Sequence, residues 1–230
     1  MKTLIIISHP YLQESQTQQF LRESLPDHDV TWHHLEEYYP DGNIDLQKEQ
    51  SLLSQHDRIL FQFPLYWYSS PPILKHWQDV VLTEGFAYGK NGTSLTGKEF
   101  GIVVATGVHE YEYQPGAREN YTMAELMRPF QAMAQKCRMT YLPLFVISRF
   151  EYMNETQRKT LLIQYRQYLT KENRSSLAIR EQWFKQELLH LGKKDLAETD
   201  QQLVDLMIQQ MEENRERLDD LLWTLEEMEE

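Results

Sequence analysis

Along the first 170 residues, short apolar runs alternate with stretches whose apolar positions recur every three or four residues. Leu4-Ile5-Ile6-Ile7 is uninterrupted and apolar, as expected of a parallel strand buried on both faces. The pattern predicts strands at Thr3–Ile7, Asp29–His34, Ile59–Phe63, Phe100–Ala105 and Thr140–Ile147. Helical periodicity lies near Thr17–Ser24, Leu46–Gln55, Pro72–Leu82 and Thr122–Lys136, and again at Glu155–Tyr168. Strands alternating with helices in this way predict an α/β chain: a doubly wound, five-stranded parallel sheet with helices on both faces. Ligands of such sheets gather beyond the carboxyl ends of strands one, three and four.

The segments expected at those ends are Ser8–Thr17, Pro64–Ser70 and Thr106–Gly116. In the first, the strand stops at Ser8-His9-Pro10 and a helix starts at Ser15-Gln16-Thr17. Backbone N–H groups at such a start, with hydroxyls and an imidazole beside them, suit a phosphate. The loop contains no glycine, so it is neither the G-x-G-x-x-G dinucleotide turn nor a Walker A loop. The second segment runs Pro64-Leu65-Tyr66-Trp67-Tyr68-Ser69-Ser70. Three consecutive aromatics cannot all face one core, and flat rings with loop amides suit a planar, partly polar ligand. In the third, Gly107 is expected to permit a tight turn, and His109, Tyr111 and Tyr113 can donate hydrogen bonds. A general acid working near neutral pH would be His109.

Beyond residue 170 the pattern changes. Leu177–Leu191 reads as a helix with a stop at Gly192-Lys193-Lys194. Then Val204, Met207, Met211, Asn214, Leu218, Leu221, Leu225 and Met228 recur at alternating spacings of three and four, a heptad stripe with one polar interruption. The sequence therefore divides into 1–170, a ligand-binding α/β domain, and 171–230, a helical extension. Of the net charge of −12, residues 199–230 carry −9, from eleven acidic and two basic side chains, which leaves −3 for the rest. That balance argues against nucleic-acid binding. No apolar run is long enough to span a bilayer, and no basic-then-apolar leader opens the chain. The single Cys137 cannot form an internal disulfide, and a cytoplasmic location without membrane insertion is expected. No metal-ligand spacing and no G-x-S-x-G elbow occur.

Together the loops resemble the flavodoxin-2 family of NAD(P)H:quinone oxidoreductases, above all the ancillary flavoproteins of glutathione-gated potassium efflux systems. The likeness rests on His9-Pro10 with Ser15, Tyr39-Pro40-Asp41-x-Asn43-Ile44-Asp45 and Pro64-x-x-Trp67-Tyr68-Ser69-x-Pro71-Pro72-x-Leu74-Lys75. Gly85-Phe86-Ala87-Tyr88-Gly89, Thr106-Gly107 and Leu142-Pro143 complete it. The resemblance implies a flavodoxin-like fold that binds FMN or FAD noncovalently in a homodimer. It implies that His9, Ser15, Gln16, Thr17 and Gln18 hold the flavin phosphate. Leu65, Tyr66, Trp67 and Tyr68 would wrap the ring edge, and Ala105, Thr106, Gly107 and Val108 would face its pyrimidine end. The implied activity is two-electron, ping-pong hydride transfer through flavin N5, from NADH or NADPH to a quinone or similar acceptor. His109, Tyr111 and Tyr113 would be the catalytic candidates, although family members often have two glycines where this chain has Gly107-Val108. Two other roles fit the same resemblance: a flavin-binding regulatory subunit docked on a membrane antiporter, and an electron carrier.

Overall fold

The computed structural model describes residues 1–171, 176–192 and 196–229. They form two compact units, Met1–Thr170 and Lys171–Glu230.

The first unit is built on a parallel sheet. Its strands are β1 (Thr3–Ile7), β2 (Val30–His34), β3 (Arg58–Pro64), β4 (Glu99–Thr106), β5 (Thr140–Tyr141) and β6 (Phe145–Ser148). The order is β2-β1-β3-β4-β5, with β6 also pairing β4. The strand order reverses at β1 and β3, and there the sheet opens a crevice beyond the strands' carboxyl ends. Alternation along each strand decides which face a residue joins. Leu4 and Ile6 join Phe61, Phe63, Ile102 and Val104 beneath α3 (Leu46–Ser54), α4 (Pro72–Val81) and α6 (Arg128–Lys136). Ile5 and Ile7 join Leu60 and Val103 beneath α1 (Gln16–Glu23) and α7 (Glu155–Thr170). Phe61 packs edge-on against Trp77 and Phe100, with centroids 5.6 and 4.8 Å away. Fully burying side chains of this size contributes about 1.5–3 kcal/mol each.

The structure departs from the predicted elements where proline or backbone conformation intervenes. The fifth strand, expected over Thr140–Ile147, is two strands broken at Pro143, which has no N–H for the ladder. Across the break the partner offset on β4 changes from 41 (Glu99 to Thr140) to 42 (Val103 to Phe145), so one residue is inserted as a bulge. The helix expected over Thr122–Lys136 is likewise two, α5 (Met123–Leu126) and α6. Pro129 cannot donate to the carbonyl four residues back, so the helix restarts there. Asp29 has a φ of 59° and precedes β2 instead of joining it. Strand β2 runs directly into a one-turn helix, α2 (Leu35–Tyr38), which periodicity is too short to signal.

A buried polar cluster ties β2, α3 and α4 together. Glu49 is 1% exposed and accepts from Trp77 Nε1 at 2.7 Å, Tyr39 OH at 2.5 Å and His33 Nε2 at 2.9 Å. Burial alone would raise its pKa, but the hydrogen bonds, His33's first, hold it below the usual carboxylate range.

The second unit is a pair of helices, α8 (Leu177–Gly192) and α9 (Glu198–Glu229). The expected stop at Lys193 and Lys194 lies outside the described residues. The helices pack antiparallel, with Lys185 paired to Glu212 and Arg215 to Glu181. The covered seam of α9 is Val204, Ile208, Met211, Arg215 and Leu218. It shares Val204, Met211 and Leu218 with the predicted heptad stripe, but Met207, Asn214, Leu221, Leu225 and Met228 are exposed. Two apolar stripes overlap on α9, and α8 covers only one. Among the described residues no helix is long and apolar enough to cross a membrane.

Candidate functional site

The carboxyl ends of β1, β3 and β4 are held level by main-chain bonds. Ser8 N donates to Gln62 O at 3.0 Å, and Leu65 N donates to Ala105 O at 2.8 Å. Between them lies a cavity of about 230 Å³. Its walls include His9, Ser15, Thr17, Gln18, Leu65, Tyr66, Ala105, Thr106 and Gly107, all of them expected from the sequence. Gln16, Trp67, Tyr68 and Val108, also expected, stand beside these residues without lining it.

The first loop ends in a helix cap. Ser15 Oγ accepts from Gln18 N at 3.3 Å and caps α1, whose Gln16 and Thr17 amides precede the first intrahelical bond. His9 Nδ1 accepts from Tyr11 N at 3.2 Å. Burial lowers the pKa of His9, with Glu36 opposing the shift, so the ring is neutral at pH 7 and its proton sits on Nε2. Behind it, His34 Nε2 donates to His9 O at 3.1 Å and lies 3.2 Å from Glu36 Oε2, while Ser8 Oγ donates to Glu36 Oε1 at 2.9 Å. For His34, burial works against protonation, but the bonds to Glu36 and to the His9 carbonyl outweigh it and the pKa is raised. Glu36 is held low by His34 and Ser8 against the opposing effect of burial. The His34–Glu36 pair braces the backbone of the loop from below.

Gln18 is braced from the other side. Its Oε1 accepts from Gln62 Nε2 at 2.6 Å, and Gln62 Oε1 accepts from Tyr165 OH at 2.7 Å. All three residues are buried. With Tyr165 donating, the oxygen of each amide is taken, which leaves the amide nitrogen as the donor that Gln18 can offer in the cavity it lines.

The second loop is a tight turn. Tyr66 and Ser69 exchange main-chain bonds of 2.9 and 3.0 Å, and between them Trp67 and Tyr68 have φ of 47° and 62°. That is a type I′ geometry, costing non-glycine residues about 1–2 kcal/mol each. It turns Trp67 outward, 93% exposed, instead of inward over the cavity. Tyr68 OH donates to Glu119 Oε2 at 3.0 Å.

In the third loop Gly107 stands at a bend without positive φ, and a Cβ there would meet nothing within 4 Å. Its missing side chain leaves the cavity wall open. Tyr113 is buried, and its hydroxyl lies 2.9 Å from Thr106 Oγ1, which also accepts from Val108 N at 3.2 Å. Tyr113 thus shapes the loop from within. His109 and Tyr111 stack with centroids 4.3 Å apart on an exposed 3₁₀ turn, and the structure does not bring them into the cavity lining.

The sequence reading missed Arg149, Phe150, Glu151 and Tyr152, which form the remaining wall. Arg149 has a φ of 51°, its N–H donates to Thr106 O at 2.8 Å, and its guanidinium lies over the Tyr152 ring at 4.4 Å. The signal was available: a cation stands directly after the last strand, at the same end of the sheet as the other loops.

A family model described as a flavodoxin-like fold matches residues 1–169. The crystal structure of an NADPH-quinone reductase from P. pentosaceus is 46% identical, with a TM-score of 0.70, over 75% of this chain and 99% of that one. General stress protein 14 of Treponema denticola, solved in complex with FMN, is 36% identical, with a TM-score of 0.66, over 74% of this chain and 96% of that one. The glutathione-regulated potassium-efflux system ancillary protein KefG of Cronobacter sakazakii is 42% identical over 147 residues, 64% of this chain and 80% of that protein.

Proposed function

The chain belongs to the flavodoxin-like family whose model spans residues 1–169, and on that premise we propose that it is an FMN-dependent NAD(P)H:quinone oxidoreductase. The observation that carries the reading is the cavity at the β1/β3 switch point, with one end rich in hydrogen-bond donors and one wall of loop backbone and flat side chains. When bound, the flavin would supply two-electron hydride chemistry between a nicotinamide and a quinone. The protein's part is to bind, orient and exclude water.

At the donor-rich end, His9 Nε2–H, the Ser15 and Thr17 hydroxyls, the first amides of α1 and the Gln18 amide nitrogen suit a phosphate monoester. Arg149, which also lines the cavity, adds a positive charge. Leu65, Tyr66 and the Ala105–Gly107 backbone fit the edge of a planar ring, and the open space at Gly107 admits it without a clash. His109 stands outside the cavity lining, on the loop after Thr106 and stacked on Tyr111, and we assign it the acceptor's proton on its chemistry as a general acid near neutral pH.

The reading includes a homodimer. A cavity of about 230 Å³ is smaller than the roughly 300–1,000 Å³ of ordinary ligand pockets, so a second wall from a partner copy would complete it. Exposed Tyr11, Tyr66, Trp67, Tyr111 and Tyr152 supply aromatic surface suited to that contact. The likeness to KefG favours a second role beside the first, as a flavin-binding subunit of a potassium-efflux antiporter.

The test is the absorbance spectrum of the purified chain after FMN loading and desalting, followed anaerobically by NADH or NADPH and then a quinone. Retained flavin that bleaches with nicotinamide and recovers with quinone supports the oxidoreductase. Retained flavin that does not bleach supports the regulatory role alone.

A further inference from the structure

The last eleven described residues of α9, 219–229, extend about 16 Å at helical rise. They lie beyond the end of α8. Glu181, one turn into α8, already pairs with Arg215, so the first residue of α8, Leu177, reaches only to about Leu218 of the antiparallel α9. Past that point the helix is still apolar on one side. Leu221, Leu222, Leu225 and Met228 follow one another at spacings that place them on one face. Leu221 is 63% exposed and Met228 78%, and Leu222 and Leu225 are exposed as well. Four such side chains on one face form a contiguous apolar patch of the kind that marks an interaction surface.

The charge around that face selects what covers it. Residues 219–229 hold Asp219, Asp220, Glu226, Glu227 and Glu229 and no Lys or Arg. In the covered half of the same helix α8 meets the apolar seam and forms ion pairs in both directions, Lys185 with Glu212 and Glu181 with Arg215, whereas residues 219–229 have only acidic side chains to offer a partner. A second copy of α9 in this position would bring an identical acidic run alongside and gain no such pairs. A helix with an apolar stripe flanked by Lys or Arg would extend what α8 already does. The family model ends at residue 169, so this surface lies outside the part shared with the flavoprotein relatives.

We propose that the Leu221-Leu222-Leu225-Met228 face is a docking site for a basic amphipathic helix of another protein.

The test uses the full chain and a fluorescein-labelled, 18-residue helical peptide of Leu and Lys, with Leu at i, i+3, i+4 and i+7. A counterpart in which Glu replaces Lys is the control. Fluorescence anisotropy at physiological ionic strength should show saturable binding of the Lys peptide and at least about tenfold weaker binding of the Glu peptide. L221Q/L225Q/M228Q keeps every charge and uses a good helix former. It should weaken Lys-peptide binding by about tenfold or more, with helicity at 222 nm and flavin retention unchanged. D220N/E226Q/E227Q, with the apolar face intact, should weaken it several-fold. Equal binding to the L221Q/L225Q/M228Q variant would mean charge attraction alone and overturn the proposal. So would absence of saturable binding, or equal binding of the Glu peptide. A sedimentation velocity difference between parent and L221Q/L225Q/M228Q, showing that the face joins two copies of this chain, would overturn it too.

Discussion

Replacing Tyr165 by phenylalanine probes the buried chain that connects the core to the cavity. Tyr165 and Gln62 are 0% exposed and Gln18 is 1% exposed. Burial pushes the Tyr165 phenol far above its ordinary pKa, so it remains a donor at every usable pH. Phenylalanine fills the same space, so the cavity contribution is small. What changes is one oxygen: Gln62 Oε1, which accepts the 2.7 Å bond, is left buried without a donor. A stranded buried acceptor costs about 1–3 kcal/mol. For a domain of this size that is a fall in melting temperature of about 2–4 °C for each kcal/mol. The same change frees Gln62 to rotate, and Gln18 loses its fixed direction, so FMN should bind about tenfold more weakly, one good hydrogen bond's worth. Urea unfolding of the apo protein, followed by circular dichroism, reads the first effect and fluorescence titration with FMN the second. In a double-mutant cycle with Gln62→Leu, the two changes should couple by about 0.5–3 kcal/mol. Stability within about 0.5 kcal/mol of the parent, with unchanged FMN affinity, would refute both the directionality of the chain and its role at the site.

The Glu49 cluster gives a second expectation. Glu49→Leu strands Trp77 Nε1, Tyr39 OH and His33 Nε2 and should cost about 3–5 kcal/mol by denaturant unfolding. Because the folded pKa of Glu49 is lowered, its contribution is present above the unfolded carboxylate value of about 4.3 and is lost as pH falls through the folded value; the variant's stability should therefore fall less steeply on the acid side. His9→Ala with Ser15→Ala should weaken FMN binding by about 2–4 kcal/mol through lost charge-assisted bonds, and lower stability by only about 1 kcal/mol through the lost cap; equal FMN affinity with native circular dichroism would count against the phosphate assignment. Gly92→Ala places a Cβ 1.9 Å from the Tyr88 carbonyl oxygen, a backbone clash, and should destabilise the loop by about 1–3 kcal/mol in thermal melts.

Much of this protein is determined locally, and that part is readable in the sequence. Strands buried on both faces need continuous apolar runs, so Leu4–Ile7 and Ile59–Phe63 declare themselves. The loops at their ends carry residues that neither a strand nor a helix interior favours, and nine of the expected residues, from His9 to Gly107, line one cavity. Tertiary structure decided the rest. Pro143 and Pro129 could be read as residues, but their effect depends on which ladder or carbonyl they deprive. Trp67 points outward because two residues accept positive φ in a turn that only the closed Tyr66–Ser69 bonds impose. Arg149 reaches the cavity, and Tyr165 aligns Gln18 from 147 positions away, because the parallel sheet brings distant strand ends and α7 to the same edge. On α9, composition supplied two overlapping apolar stripes with nothing to choose between them. Packing against α8 covered one and left the other exposed, because a helix carries its stripe along its whole length, whereas a neighbour can bury only what it lies beside.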